Sequence, residues 1–357
     1  MTDRRVLLTV SGTIPDDLDD HVAQGRRPRA DYRVLATRLG ADVVDVPAAL
    51  AATGRVGALI HRVAGVGALL AWFAMRHRAK YDVIVTDGEQ VGLPYAALTR
   101  LAGRTRPRHV MIVHVLTTRP KQALMRALRL ASRVDRYLVY ASSQRGAIVE
   151  ELGVPESRVE LIPFMVDTRF FAPDHRAPER NARPLIVSAG LERRDYDTLI
   201  EAVDGLDVEV VIAAASPWST QADGTAGRAL PHNVTIERFD LFGLRGLYAR
   251  ADVVVMPLLD VDFQAGITTI LEAMAMERAI VCTRTSGQTD TIVDGQTGVY
   301  VPVGDAAAMR SAIRRLLGDD ARRAALGAAA REWVCAHADI DRYAALVAGS
   351  VDAVCAR

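Results

Sequence analysis

The chain has 357 residues, half of them hydrophobic and 24% charged, with a formal net charge of +1 at pH 7. That balance excludes a disordered chain and one that binds nucleic acid through overall charge, and the length suits two domains of about 150 to 200 residues each. Three cysteines, Cys282, Cys335 and Cys355, are too few and too widely spaced for a disulfide framework or a cysteine metal site, which points to a reducing cytoplasm.

The N-terminal run MTDRRVLLTVSGTIPDD has too short an apolar stretch for a signal peptide and reads as a first buried strand, VLLTVS at 6–11. Strands DVVDV (42–46), DVIVTD (82–87), HVMIVHV (109–115) and RYLVYAS (136–142) follow. Between them lie helical patterns at 32–39, 56–78, 92–101, 121–133 and 144–152. The longest apolar stretch, 63–75, is well short of the about 20 residues needed to span a bilayer. At LIPFMVDTRFFAPDHRAPERNARP (161–184) Pro, Arg and His replace the periodic pattern, and a single linker is expected. Strands resume as PLIVSA (184–189), VEVVIAA (208–214), NVTIE (233–237), DVVVMP (252–257), AIVCT (279–283) and VYVP (299–302), and after Val303 the pattern is helical to the end.

Apolar strands alternating with helices predict parallel sheets covered on both faces. The expected fold class is therefore α/β, with two tandem doubly wound, Rossmann-like domains and a ligand cleft at the carboxyl ends of the strands. The expected boundaries are 1–163, 164–335, and a last helix at 336–357 that packs back towards the first domain. A motif that matters should follow a strand. One does: after DVVVMP and a loop at 258–265, a helix opens on Gly266-Ile267-Thr268-Thr269. Glycine admits a ligand close to the backbone, the free N–H groups and positive helix end favour a phosphate, and the threonines add hydroxyl donors. Glu272 lies about one turn further on an apolar face. The helix dipole offers it only ~0.3–1 kcal/mol. Burying an unpaired charge costs several times that, so this acid needs a partner.

GITTILEAMAM, AIVCT, TSGQTD and DGQTGVYVPVGD, preceded by IPFMVDTRFFAP and LYARADVVVMP, resemble the donor-binding core of the retaining glycosyltransferases of the GT-B fold, family 4. The resemblance covers roughly residues 136–317; the first half matches only in rhythm. It implies transfer of a hexose from a nucleoside diphosphate sugar, UDP favoured over GDP, to an acceptor hydroxyl with retention of anomeric configuration. The sugar nucleotide would be a co-substrate, with neither cofactor nor metal. The acceptor is left as a small molecule, a glycan or a lipid, and nucleic acid is not expected. The implied donor site comprises Gly190, Arg193, Arg194, Gly266, Ile267, Thr268, Thr269, Glu272, Ser286 and Gly287, with Glu272 on the ribose diol. His114 would lie near the donor sugar as a catalytic residue beside Arg194, Gln264 and Glu272, and Gly12 and Glu89 would meet the acceptor.

Two departures from the family pattern stand out. The first of its two glutamates maps to Gln264, and the Phe-Gly that normally follows it appears as Ala265-Gly266, so the loop either carries glutamine there or is shifted by one residue. The only lysines, Lys80 and Lys121, are both in the first half, so the diphosphate clamp must be arginine, and Arg194 aligns best with the family lysine. Asp260-Val261-Asp262 has the look of a metal-binding Asp-x-Asp, but that motif belongs with a different, single-domain architecture. The basic helices at 121–136 and 63–78 fit either ordinary amphipathic helices or transient contact with a membrane surface, so the expected location is cytoplasmic, open to peripheral membrane contact. Two other functions share these features: a GT-B UDP-sugar epimerase, and a sugar-nucleotide-binding protein without activity.

Overall fold

A computed structural model describes residues 4–101, 106–116, 118–173, 181–213 and 230–356. Part of the expected linker, 174–180, lies outside them. The β-branched runs form two six-stranded sheets in which every pairing is parallel. The first holds β1 (Val6–Thr9), β2 (Ala41–Val44), β3 (Val83–Asp87), β4 (Arg108–Val113), β5 (Arg136–Val139) and β6 (Val159–Leu161), in the order β2-β1-β3-β4-β5-β6. The second holds β7 (Leu185–Ala189), β8 (Glu209–Ala213), β9 (Val234–Glu237), β10 (Val253–Met256), β11 (Ala279–Thr283) and β12 (Val299–Val301), in the order β12-β11-β10-β7-β8-β9. The expected strands are present within a residue or two at most ends. Strand β6 was not expected: three residues at a sheet edge are too few for a periodicity to show.

Twelve α-helices occur among the described residues. They are α1 (Leu18–Ala23), α2 (Asp31–Leu39), α3 (Val46–His77), α4 (Glu89–Leu101), α5 (Arg119–Ala127), α6 (Ser142–Glu150), α7 (Tyr196–Val203), α8 (Leu241–Arg250), α9 (Ile267–Ala275), α10 (Ala306–Leu317), α11 (Asp320–His337) and α12 (Ile340–Cys355). The chain forms two compact units. One comprises 1–18, 30–162 and 341–357; the other comprises 19–29 and 163–340. In the second unit the core on one sheet face gathers Val187, Val254, Met256, Ile270, Met274 and Ile280, and on the other Ile186, Val253, Val255, Leu199, Val281 and Ile313. Alternate residues of β7, β10 and β11 thus point to opposite cores, as a sheet buried on both faces requires.

Two features differ from expectation. Residues 1–163 were expected to form the first domain, yet Asp19–Arg29 belongs to the second unit. The cause is Arg29, whose guanidinium and backbone N–H both reach the Asp167 carboxylate at 2.8 Å. Burial alone would raise the Asp167 pKa, but this fork holds it below its ordinary value. Helix α3 was expected to begin at Val56 and to be too short in its apolar run to cross a bilayer. It begins ten residues earlier, where the Asp45 carboxylate accepts from the Ala48 N–H and a proline occupies the first turn. The segment Val46–Lys80, whose most apolar 18-residue window has mean hydropathy 1.6, is long and apolar enough to cross a membrane by length and composition. Arg55, His61 and Arg62 interrupt the apolar run in sequence, and the helix itself is broken at Gly54 and Gly65, whose backbone angles are non-helical.

Candidate functional site

The second sheet starts at β7, builds outward through β8 and β9, and returns to the other side of β7 as β10. That reversal leaves a crevice beyond the carboxyl ends of β7 and β10, where open α/β sheets receive ligands. After β7, Gly190 has φ +94°, and a β-carbon there would sit 2.4 Å from the Arg194 guanidinium. Glycine alone lets that side chain fold over the backbone. Arg194 donates from Nε to the Ala189 carbonyl at 2.9 Å and from Nη1 to the Glu192 carbonyl at 2.6 Å. It makes no ion pair among the described residues, and burial lowers its pKa. The loop is pinned to the one after β10 by Asp195 N–H to the Pro257 carbonyl (3.1 Å) and Leu259 N–H to the Arg193 carbonyl (3.0 Å). Arg193 itself is exposed, at φ +56°.

After β10 the chain enters α9 through Gly266, at φ +75°, where a β-carbon would meet the Met256 sulfur at 2.7 Å. Helices α7, α8, α10 and α11 each begin on an aspartate whose side chain accepts a leading N–H: Asp195, Asp240, Asp305 and Asp319. No side chain caps α9. Its first N–H groups and positive end are left for an external anion, with Thr268 exposed beside them. Thr269 is buried.

Glu272 is buried in the second turn of α9, and its partner inside the protein is Tyr248 of α8, whose hydroxyl donates to Oε2 at 3.1 Å. Burial pushes the Glu272 pKa up to about 8, against the opposing pull of that hydrogen bond. Near neutral pH the empty site therefore holds this carboxyl largely protonated. Towards the carboxyl ends of the same sheet's strands, four buried oxygens have no hydrogen-bond partner: Ser188 Oγ in β7, Gln264 Oε1 after β10, and Thr285 Oγ1 and Gln288 Oε1 after β11. Gln288 Nε2 donates to the Ala265 carbonyl at 3.0 Å, which fixes the amide. Such a set of idle acceptors suits the hydroxyls of a ligand or water. Of these four, sequence reasoning found only Gln264; Gln288 lies inside the quoted TSGQTD, and its burial was the missing signal.

Ser286 and Gly287 do a different job. The Ser286 hydroxyl and Gly287 N–H both donate to the Val261 carbonyl, at 3.2 and 3.0 Å. A β-carbon on Gly287 would lie 2.3 Å from the Phe263 carbonyl oxygen, so this glycine lets the two loops touch. Asp260 and Asp262 are exposed, and the described residues contain no group of three or more His, Cys, Asp or Glu that could hold a metal ion.

In the first unit the corresponding reversal lies between β1 and β3. Gly12, just after β1, accepts the Val46 N–H on its carbonyl at 3.2 Å, and no atom lies within 4 Å of where its β-carbon would sit. Glu89, after β3, is buried and accepts from His114 N–H (3.0 Å), Val115 N–H (3.3 Å) and Lys121 Nζ (2.7 Å). With three donors its carboxylate already shapes the loop after β4. His114 is thereby aimed so that Nε2 meets Asp87 Oδ1 at 3.0 Å. Burial opposes charging of the imidazole, but the Asp87 hydrogen bond and the charges of Asp87, Glu89 and Asp31 outweigh it and raise its pKa. The Asp31 pKa rises to about 6, first through burial and then through Asp87. Asp31 was not anticipated; as a first-turn acid of α2 it looked like ordinary helix chemistry.

Comparison with known proteins agrees with this architecture. Residues 21–170 match the model of the Glycosyltransferase Family 4 domain and 183–319 that of Glycosyl transferases group 1. A GDP-mannose-dependent alpha-(1-6)-phosphatidylinositol monomannoside mannosyltransferase from Mycolicibacterium smegmatis is 29% identical over 289 residues, covering 74% of this chain and 68% of that protein. Its namesake from Mycobacterium tuberculosis is 27% identical over 62% of each chain. A D-inositol 3-phosphate glycosyltransferase from Arthrobacter is 25% identical over 70% of this chain and 66% of its own. The matched region thus spans about two thirds of these relatives' length. Among solved structures, a sucrose-phosphate synthase from Thermosynechococcus elongatus superposes with a TM-score of 0.74 at 18% identity, covering 99% of both chains. Anabaena HepE with UDP and glucose does so at 0.69 and 14%, covering 98% of this chain and 99% of that one. At these identities the likeness shows the fold.

Two measurements check the site. The pKa of Glu272 is higher folded than unfolded, so its neutral form is favoured in the native state. The ligand-free protein should therefore lose stability relative to Glu272→Gln as the pH rises from about 5 to about 8, and the gap should stop growing above that. Melting temperatures of both proteins across that range will show parallel curves if the carboxyl is not held protonated. In the first unit, proton NMR should find the His114 imidazole titrating above about 6.5, its ordinary value. Asp87→Asn should lower that pKa, and no change would remove Asp87 as the partner that charges it.

Proposed function

From a chain that belongs to the glycosyltransferases of the GT-B fold, with a family 4 domain in its first half and a group 1 domain in its second, we propose transfer of mannose from GDP-mannose to a hydroxyl of a phosphate-bearing polyol, with retention at the anomeric carbon. The observation that carries the donor half is the uncapped start of α9 beside Arg194, an arginine with no ion-pair partner among the described residues, at one topological switch point. A dinegative leaving group needs positive potential where charge develops, and a helix end plus a fixed guanidinium supply it without a metal. Glu272 grips the ribose diol as its carboxyl ionises, and Tyr248 keeps it in place. Gln264 and Gln288 offer idle oxygens to sugar hydroxyls. In the first unit, Glu89 and Asp87 orient His114.

GDP-mannose replaces the UDP-sugar that the family resemblance favoured. The support is the curated relatives, which are named as GDP-mannose-dependent. Their named acceptors, an inositol phosphate and a phosphatidylinositol monomannoside, share a phosphate-bearing polyol ring, and that chemistry is carried to this chain. Retention follows from the family resemblance, with front-face attack and the leaving phosphate taking the acceptor proton.

Calorimetric titration should find GDP binding at least about tenfold tighter than UDP, a difference of about 1.4 kcal/mol. Glu272→Gln should weaken GDP by about 10–100-fold, because bonds to the charged carboxylate are worth ~1.5–3 kcal/mol each. Equal affinities in the two proteins would take Glu272 out of the donor site, and tighter UDP would restore the uridine reading. Arg194→Ala should reduce kcat by ~10²–10³-fold and leave GDP binding far less affected, since it acts on charge that grows in the transition state. Activity lost in EDTA and restored by manganese would overturn the metal-free mechanism.

A further inference from the structure

We propose that the second unit carries a regulatory site for a small organic carboxylate with an apolar body, at the opposite end of the sheet from the donor crevice. A cavity of about 530 Å³ lies between the turn before β12, the second half of α10 and the start of α11. That volume suits a small molecule. The strands are parallel and Val299 opens β12, so the cavity lies towards their amino ends, whereas Gly190 and Gly266 follow carboxyl ends. Its floor is apolar, formed by Val299, Ala312 and Leu316, the last two buried. Its walls are charged: Arg315 from α10, Arg322 from α11, Asp294 in the turn before β12, and Asp319 just before α11.

Charge selects the occupant. Both acids are engaged already. Asp294 pairs with Arg284 at 2.8 Å through Oδ2 and accepts the Tyr300 N–H at 3.0 Å on Oδ1. Asp319 Oδ1 accepts the Arg322 N–H at 2.8 Å and caps α11. The cavity arginines have no carboxylate partner among the described residues: the Arg322 guanidinium holds the Gly295 carbonyl, and Arg315 makes no hydrogen bond or ion pair. With Arg284 set against Asp294, the walls keep a surplus of one positive charge. A monoanion balances that surplus and a dianionic phosphate exceeds it. Guanidiniums take a carboxylate through paired N–H bonds, and the apolar floor takes the hydrocarbon body. A chain of hydrogen bonds joins this cavity to the donor crevice. Asp294 holds the Tyr300 N–H, and the Arg284 guanidinium lies 4.3 Å over the Tyr300 ring. The Tyr300 hydroxyl donates to the Gln288 carbonyl at 2.8 Å, and Gln288 Nε2 to the Ala265 carbonyl beside the start of α9. A carboxylate that takes Arg322 takes it from the Gly295 carbonyl, next to Asp294, and so loosens the first link. Occupancy therefore weakens donor binding, a consequence that rests on the donor reading of α9.

The test uses the full chain and probes that share one hydrocarbon body: hexanoate, neutral hexanamide and dianionic hexyl phosphate. Calorimetric titration should find hexanoate bound, hexanamide at least about tenfold weaker, and hexyl phosphate no tighter than hexanoate. Arg315→Gln should cut hexanoate affinity by about tenfold or more. Because Arg315 is exposed and makes no bond within the protein, that variant should melt as wild type does. Saturating hexanoate should weaken GDP by about fivefold or more, and GDP should weaken hexanoate by the same factor. Tyr300→Phe should bind hexanoate and lose that mutual effect, with its melting curve as the check on folding. No hexanoate binding, hexanamide bound as tightly, or Arg315→Gln protein that binds as wild type does would each remove the site. Tighter hexyl phosphate overturns the carboxylate assignment, and hexanoate that binds while GDP affinity stays unchanged overturns the regulatory role. Hexanoate binding is read without nucleotide. A chain that binds it through Arg315 but takes no GDP upholds the cavity and overturns the donor reading, and the coupling with it.

Discussion

Every strand in both sheets runs parallel to its neighbours, and that constraint organises the rest. Parallel strands cannot be joined by a tight turn, so each connection has to cross over, most of them through a helix, and all carboxyl ends of a sheet emerge at one edge. The strands themselves are buried on both faces and have little room for polar chemistry. Polar groups therefore collect where strands end: Ser188 and Gly190 at β7, Gln264 after β10, Thr285 and Gln288 after β11 in one sheet. In the other, Asp87 ends β3 and His114 follows β4. The switch point then concentrates function further, because neighbouring crossovers leave it in opposite directions.

The two edges are charged in opposite senses. The second unit presents a half-buried guanidinium without an acid partner among the described residues, an uncapped helix start, and a carboxyl kept neutral by burial. The first gathers Asp31, Asp87 and Glu89 around one histidine and one lysine. Neither arrangement is what stability alone would select. A capping aspartate, as at four other helices, would satisfy the start of α9 but put a negative charge where the proposed diphosphate sits, and Gly266, at φ +75° and close against Met256, has no room for one. Local rules are broken at ligand sites because the missing partner is the ligand.

How much of this could be read beforehand depended on whether a property was local. The strands were legible since runs such as Val253-Val254-Val255 have no alternative to burial, and α9 was legible since glycine followed by an apolar helical pattern is a local signal. The partners were not. Tyr248 reaches Glu272 across 24 residues, Glu89 collects donors from 25 to 32 residues away, and Arg29 finds Asp167 across 138. Each looked, in isolation, like a free side chain. Ser286 and Gly287 were read as ligand contacts for the same reason: nothing nearby in sequence reveals that Val261 and Phe263 pack against them. The extent of α3 escaped because its glycines do break the helix, at Gly54 and Gly65, and nothing local shows that it resumes beyond each break.

The way the chain is shared between its units bears on how it is made. Residues 19–29 belong to the second unit, while 341–357 belong to the first, where Tyr343 of α12 packs its hydroxyl 3.1 Å from that of Tyr140 and Ser350 bonds to Glu160. During synthesis the ribosome delivers five of the six strands of the first sheet by Val139, yet α12, which packs into that unit, follows the whole of the second sheet. The usual order, in which the N-terminal domain matures first, is thus inverted: the second unit has all its residues while the first still waits for its final helix. A nascent chain of this protein should leave the apolar partners of α12 in the first unit uncovered until that helix has been made. It is there that a chaperone would find its grip, and there that loss of α12 would damage the half of the molecule encoded first.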